Sequence, residues 1–152
     1  MRAIVAERER EPFTDSARLV DLILRAIPAA VRTKTKGNPA KRTFQALRIE
    51  VNGELEALST VLPVMLGRMG PAARAAVLAY HSLEDRIVKQ TFRRLANPCT
   101  CPPKIPVCIC GKKPVVRVLG GGGIKPDAQE VERNPRSRSA MLRGCEKLET
   151  QG

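Results

Sequence analysis

Ala75-Ala76-Val77-Leu78-Ala79-Tyr80, followed directly by His81-Ser82-Leu83-Glu84-Asp85, is the stretch on which the fold turns. Six apolar residues in a row suit a strand buried on both faces, as in a parallel sheet whose two sides are covered by helices. The segment after it carries an apolar stripe of Leu83, Ile87, Val88, Thr91, Phe92 and Leu95 at helical spacing. Upstream, Phe44, Leu47, Val51, Leu55, Leu58 and Leu62 recur at steps of three and four. That spacing predicts one helix from Arg42 to Leu62, and Gly67 to Pro71 then turns the chain. Helix, strand, helix in this order is half of an α/β sheet. Ligands on open α/β sheets gather beyond the carboxyl ends of the strands, which puts His81 and Ser82 at the mouth of a crevice.

Downstream, Asn97 to Lys113 is a loop rich in Pro and Cys. Val115 to Leu119 is β-branched enough for a strand, and the glycines from Gly120 to Gly123 require a tight turn or a flexible link. Ser137 to Arg143 predicts a last strand, antiparallel to the one at Val115. Toward the amino terminus, residues 2–10 read as the tail of a helix. Thr14-Asp15-Ser16 then offers N-cap residues for a second helix, with Leu19, Val20, Leu22, Ile23, Leu24 and Ile27 on its apolar side and Pro28 at its end. Thr33 to Ala40 is a basic loop.

The chain has 152 residues, 43% of them apolar, with three Phe, one Tyr and no Trp. Leu, Val, Ile and Ala must therefore make the core, and a module that stacks RNA bases on aromatic platforms is disfavoured. The net charge of +12, from 27 basic and 15 acidic side chains, is concentrated. No acid lies between Asp21 and Glu50, nor between Asp85 and Asp127, while basic residues crowd both intervals. Such stretches favour a polyanionic partner, nucleic acid before an anionic membrane, since no long apolar run is present. The first ten residues lack the apolar segment of a signal peptide, and an odd set of five Cys fits a reducing compartment, so the cytoplasm is the expected location.

Cys99-Thr100-Cys101 and Cys108-Ile109-Cys110 bring two close thiol pairs into one loop. Four thiolates from two such knuckles can close a tetrahedral zinc site with no open position, and therefore a structural one. Four reduced thiols are the competing reading.

Other blocks carry a resemblance. Arg42-Thr43-Phe44-Gln45-Ala46-Leu47-Arg48-Ile49 is followed by Val51-Asn52 and Glu54-Leu55. To these are added Arg2-Ala3-Ile4-Val5, His81 through Lys89, Asn134-Pro135-Arg136-Ser137-Arg138-Ser139 with Leu142-Arg143, and the Cys-Pro-Pro and Val-Cys-Ile-Cys-Gly elements. Together they resemble the ribosomal RNA small subunit methyltransferase H family, across nearly the whole chain. The resemblance implies a class I, Rossmann-like methyltransferase sheet interrupted by an inserted helical domain for RNA recognition. Residues 1–40 would be the last helices of that insert, and residues 41–152 the rear half of the catalytic domain, with the Cys-rich loop at 97–113. It further implies S-adenosylmethionine as cofactor, the small ribosomal subunit or its RNA as partner, and methylation of the N4 amine of a decoding-centre cytidine. No membrane role or oligomeric state follows from it. The family's glycine-rich cofactor loop has no counterpart here, because Gly120 to Gly123 does not join a strand to a helix. The chain alone is therefore expected to be inactive, with exposed sheet edges and poor solubility. Departures from the family pattern are Asn38 before Pro39-Ala40, no Gly-Gly before Arg74, the Gly120 to Gly123 run, and Gly144-Cys145.

Two roles compete for the block after the strand. In one, Ser82 is an N-cap and Asp85 its partner three residues on, with His81 bonding the backbone. In the other, His81 and Ser82 touch substrate, where methyl transfer to an amine needs orientation and a path for the departing proton. Arg136 and Arg138 suit phosphate oxygens, or ion pairs with Glu84 or Asp85. Arg42 and Arg48 suit RNA, or a solvated helix face. A non-catalytic basic RNA- or ribosome-binding protein with a zinc knuckle is the runner-up function, and a helical interaction protein the third.

Overall fold

The computed structural model describes residues 2–32, 37–102 and 107–149. It divides into two compact units, Met1–Gly53 and Glu54–Gly152, whereas the sequence reading placed a boundary between Ala40 and Lys41.

The first unit holds helices α1 (Arg2–Arg10), α2 (Ser16–Ala26), α3 (Ala29–Arg32) and α4 (Lys41–Asn52). Asp15 caps α2 as expected, its carboxylate accepting from the Arg18 N–H at 2.8 Å. Leu19, Ile23 and Ala40 are buried there, with Ile4, Phe13, Val20, Ile27 and Phe44 packed around them. The first half of the basic loop at Thr33 to Ala40, residues 33–36, lies outside the described residues.

The single helix expected from Arg42 to Leu62 is two. Gly53 adopts a left-handed conformation, φ 60°, and ends α4. A new helix, α5 (Glu54–Arg68), starts with Glu54 and Glu56 in its first turn, where acidic groups favour a helix N-terminus.

The second unit continues with β1 (Arg74–Ala79), α6 (Ser82–Ala96), β2 (Val116–Ile124), α7 (Ala128–Arg133), a 3-10 turn (Pro135–Ser139) and β3 (Met141–Lys147). The strands form one sheet in the order β1-β3-β2. Both β1 and β2 pair antiparallel with β3, so they run in the same direction as each other, joined through α6. The antiparallel pairing of the last strand with that at Val115 is thus as expected, and the expected doubly buried inner strand is corrected. Ala75 and Val77 turn toward the helices, while Leu78 is 51% exposed on the other face. The alternating exposure is that of a sheet with one covered face. Beyond β1 no further strand is paired among the described residues.

Helices α5 and α6 cover one face. Leu62 and Leu66 of α5, Val88 and Phe92 of α6, Val116 of β2 and Cys145 of β3 make the core. Lys147 ties the end of β3 to α5 by donating to the Leu66 carbonyl at 3.2 Å, which also sets a cation at that helix's C-terminus. On the uncovered face, Glu146 lies 2.8 Å from Arg74 and 2.7 Å from Arg117. The hydrogen bond from Arg74, aided by the charge of Arg117, holds its carboxyl below the ordinary range.

Two expectations shift near the end of the chain. The glycines belong to β2, where the pairing jumps from Leu119↔Gly144 to Ile124↔Leu142, an enlarged bulge. The last strand begins at Met141 rather than Ser137, because Pro135 starts a 3-10 turn in which the Ser137 hydroxyl donates to the Asn134 carbonyl at 2.8 Å.

Candidate functional site

The carboxyl end of β1 leads directly into α6, and the cap falls one residue earlier than the sequence reading placed it. His81 is the N-cap, with extended backbone, and its Nδ1 accepts from the Glu84 N–H at 3.3 Å. Glu84 returns the contact: its Oε2 accepts from the N–H groups of Tyr80 at 2.9 Å and His81 at 3.2 Å. This is a capping box, but its members are His81 and Glu84 in place of Ser82 and Asp85. Ser82 is exposed as the first helical residue. The usual N-cap set of Ser, Thr, Asp and Asn hides a histidine cap, and the signal that finds it is the glutamate three positions later.

The His81 ring is nearly buried, its side chain 12% exposed, with Nε2 3.3 Å from Glu84 Oε1 in a geometry that makes no hydrogen bond. Glu54 joins them, and the ligand atoms of Glu54, His81 and Glu84 lie within 4.8 Å of one another. Because Nδ1 accepts, the neutral ring carries its proton on Nε2. Its one free lone pair is occupied by the cap, so accepting a proton from substrate requires the cap to open. His81→Ala is expected to cost about 1 kcal/mol of unfolding free energy by urea denaturation. Ser82→Ala is expected to stay within about 0.5 kcal/mol.

Asp85 has a partner that sequence reasoning missed. Arg143, on β3, donates through Nε to Asp85 Oδ1 at 2.6 Å and through Nη2 to Oδ2 at 3.1 Å. Its Nη1 reaches the Gly122 carbonyl at 2.7 Å, which the bulge of β2 presents to it. Gly123, at φ 92°, lies so close that a Cβ there would stand 2.9 Å from Met141 Sδ and 3.2 Å from Arg143 Nη1. Gly122 and Gly123 are the part of the run that meets Arg143.

Arg136 and Arg138 lie exposed on the 3-10 turn, with Asp85 engaged by Arg143 and Glu84 by the cap. Arg42 and Arg48 are exposed on α4 in the first unit. Arg93 and Arg94, with Gln90 and Asn97, line an open recess of about 510 Å³ on α6. On the uncovered sheet face, Leu78, Leu142, Ile124, Lys125 and Glu130 line a smaller one of about 230 Å³.

The four loop cysteines converge. Cys108 Sγ lies 3.5 Å from Cys99, 3.7 Å from Cys101 and 3.3 Å from Cys110, and Cys110 lies 3.9 Å from Cys99. The N–H groups of Lys112 and Thr100 lower the Cys110 thiol to about 6. Cys108 receives the Cys110 N–H, which favours its thiolate, yet its contacts with the Cys110, Cys99 and Cys101 thiols push it up to about 12.

Residues 1–148 match the MraW methylase family. The chain belongs to that family. Relatives named ribosomal RNA small subunit methyltransferase H, from Clostridium botulinum strains Hall, Okra and Kyoto, are each 46% identical over 147 residues, 97% of this chain and 47% of the relative. The chain spans about half the length of the curated relatives it matches. On the structure, two of the sequence blocks that suggested the family, His81 through Lys89 and Leu142-Arg143, meet through the Asp85–Arg143 pair. The glycines from Gly120 to Gly123 lie inside β2, with the Gly122 carbonyl given to Arg143, so they do not join a strand to a helix as a glycine-rich nucleotide loop would.

Proposed function

We propose that this chain is the rear half of an S-adenosylmethionine-dependent methyltransferase acting on the N4 amine of a cytidine in the decoding centre of small-subunit ribosomal RNA. The observation that carries the reading is the family match over residues 1–148, joined by relatives whose name states the small-subunit RNA. The bare edge of β1 is the seam at which the remainder of a parallel sheet pairs, and the cofactor cradle lies beyond it. The chain by itself is inactive.

In this reading the crevice opens beyond the carboxyl end of β1. His81 and Glu84 act there as positioning residues that set the path from Tyr80 into α6, and Ser82 at the first helical position faces the substrate side. The Asp85–Arg143 pair fixes β3 against the start of α6, holding the crevice floor. Arg42, Arg48, Arg136 and Arg138 contact RNA phosphates. Residues 1–40 belong to an RNA-recognition insert and residues 41–152 to the catalytic domain. The protein works on the small ribosomal subunit in the cytoplasm, and no helix of the described residues is long and apolar enough to cross a membrane.

The test is a fusion of this chain to the remainder of a Clostridium botulinum relative, incubated with S-adenosylmethionine and small subunits lacking the modification. Nucleoside mass spectrometry is expected to find N4-methylcytidine with the fusion and none with the chain alone. A fusion that folds and binds the cofactor yet transfers no methyl group sinks the proposal. The net charge of +12, concentrated in two acid-free stretches, favours one second reading, a non-catalytic basic RNA-binding protein. Under it the chain alone binds small-subunit RNA with steep salt dependence, and the fusion stays silent.

A further inference from the structure

The loop between α6 and β2 leaves and returns at one point, because the Val115 N–H donates to the Leu95 carbonyl at 2.8 Å. Within it Val107 and Ile109 are 70% and 78% exposed, so no apolar core holds its described part together. What converges instead is sulfur. A zinc ion with Zn–S bonds of about 2.3 Å sets its four ligands about 3.8 Å apart at the corners of a tetrahedron. Four of the six sulfur separations among Cys99, Cys101, Cys108 and Cys110 run from 3.3 to 3.9 Å and all six are within 4.8 Å, too long for any disulfide and close to that spacing.

The surroundings suit thiolates. The backbone N–H groups of Lys112 and Thr100 point at Cys110 sulfur, and that of Cys110 at Cys108. Gly111, at φ 64°, makes the left-handed turn that brings the Lys112 N–H back onto the knuckle. The Lys112 ammonium lies 3.3 Å from the Thr100 hydroxyl, beside the site, where it offsets the negative charge left when one divalent ion meets four thiolates.

We propose that Cys99, Cys101, Cys108 and Cys110 bind one zinc ion as a closed tetrathiolate site that fastens the loop between α6 and β2. Binding exchanges the thiol protons for four Zn–S bonds, the protons leaving to solvent with no change of oxidation state. With every position filled by sulfur, the ion has no place for substrate, and its role is to hold the loop. The reading is independent of methyl transfer.

The test uses the full 152-residue chain, purified under reducing conditions. Elemental analysis is expected to find one zinc per chain. Cobalt(II) added to the metal-free protein is expected to give the intense visible absorption of a tetrahedral thiolate complex. Cys108→Ser and Cys110→Ser each lose most of the metal with circular dichroism unchanged, whereas Cys145→Ala, which removes the buried core thiol, keeps it. Absence of copurified zinc together with the weak spectrum of octahedral cobalt overturns the proposal. So does full zinc content in both serine variants. The cobalt spectrum of the unaltered chain decides even where a variant fails to fold.

Discussion

Asp85→Ala is expected to lower the unfolding free energy of the second unit by about 3–5 kcal/mol, read from urea denaturation. The side chain of its partner Arg143 is only 10% exposed. Removing the carboxylate takes away two charge-assisted hydrogen bonds and leaves the buried guanidinium its bond to the Gly122 carbonyl. The loss exceeds the worth of the pair, because a buried cation without its counter-charge suffers most of the desolvation penalty. Asp85→Leu combined with Arg143→Leu is therefore expected to be more stable than either single replacement, since no buried charge remains. Arg136→Ala, on the exposed turn, serves as a control within about 0.5 kcal/mol. Equal and additive effects of the two single changes would show that the pair is not a unit.

This pair also marks where the sequence stopped being informative. Asp85 and Arg143 are 58 residues apart, and nothing local distinguishes either from a surface charge. The capping box was half legible: a cap followed by an acid was expected at the end of the strand, and the shift to His81 and Glu84 turns on a histidine standing in for a hydroxyl or carboxylate. Gly53 escaped notice because the three-and-four spacing of apolar residues runs through it. One left-handed residue ends a helix without disturbing the count on either side. The strand at Ala75 was found for the right reason and given the wrong surroundings. Its composition cannot tell a strand covered on both faces from one whose second face is open in the chain at hand, since the difference lies in elements outside the run.

By contrast the stripe of α6 was legible from Ile87 onward, while Leu83 in its first turn is 39% exposed. Val88, Thr91 and Phe92 are buried and Leu95 packs against the core, because a helix lying on a sheet buries whatever recurs on one side of it. The antiparallel pairing of β2 with β3 was also legible, although the two strands are joined through α7 and a 3-10 turn rather than by a hairpin. The Cys knuckles needed only spacing to be singled out, and convergence of their sulfurs adds the geometry that spacing lacks.

Phe92→Ala carries the other large effect. Phe92 is 1% exposed and the largest fully buried side chain, enclosed with Leu66, Val88, Val116 and Cys145. Truncation removes its transfer free energy and leaves a cavity among residues from a second helix and two strands, which cannot all move inward together. The expected cost is about 3–5 kcal/mol by urea denaturation. Phe92→Leu refills most of the space and is expected to cost about 1 kcal/mol. Leu78→Ser is the opposing case: the side chain is half exposed on the uncovered sheet face, so stability is expected to change by less than about 0.5 kcal/mol. In the fusion used to test methyl transfer, the same Leu78→Ser change is expected to destabilise by more than about 1 kcal/mol if the added part covers that face, since burial then turns the lost methyl groups into lost packing. A Leu78→Ser cost that is the same in the chain and in the fusion would mean that this sheet face stays open in the larger protein, and that the partner half docks along the β1 edge alone.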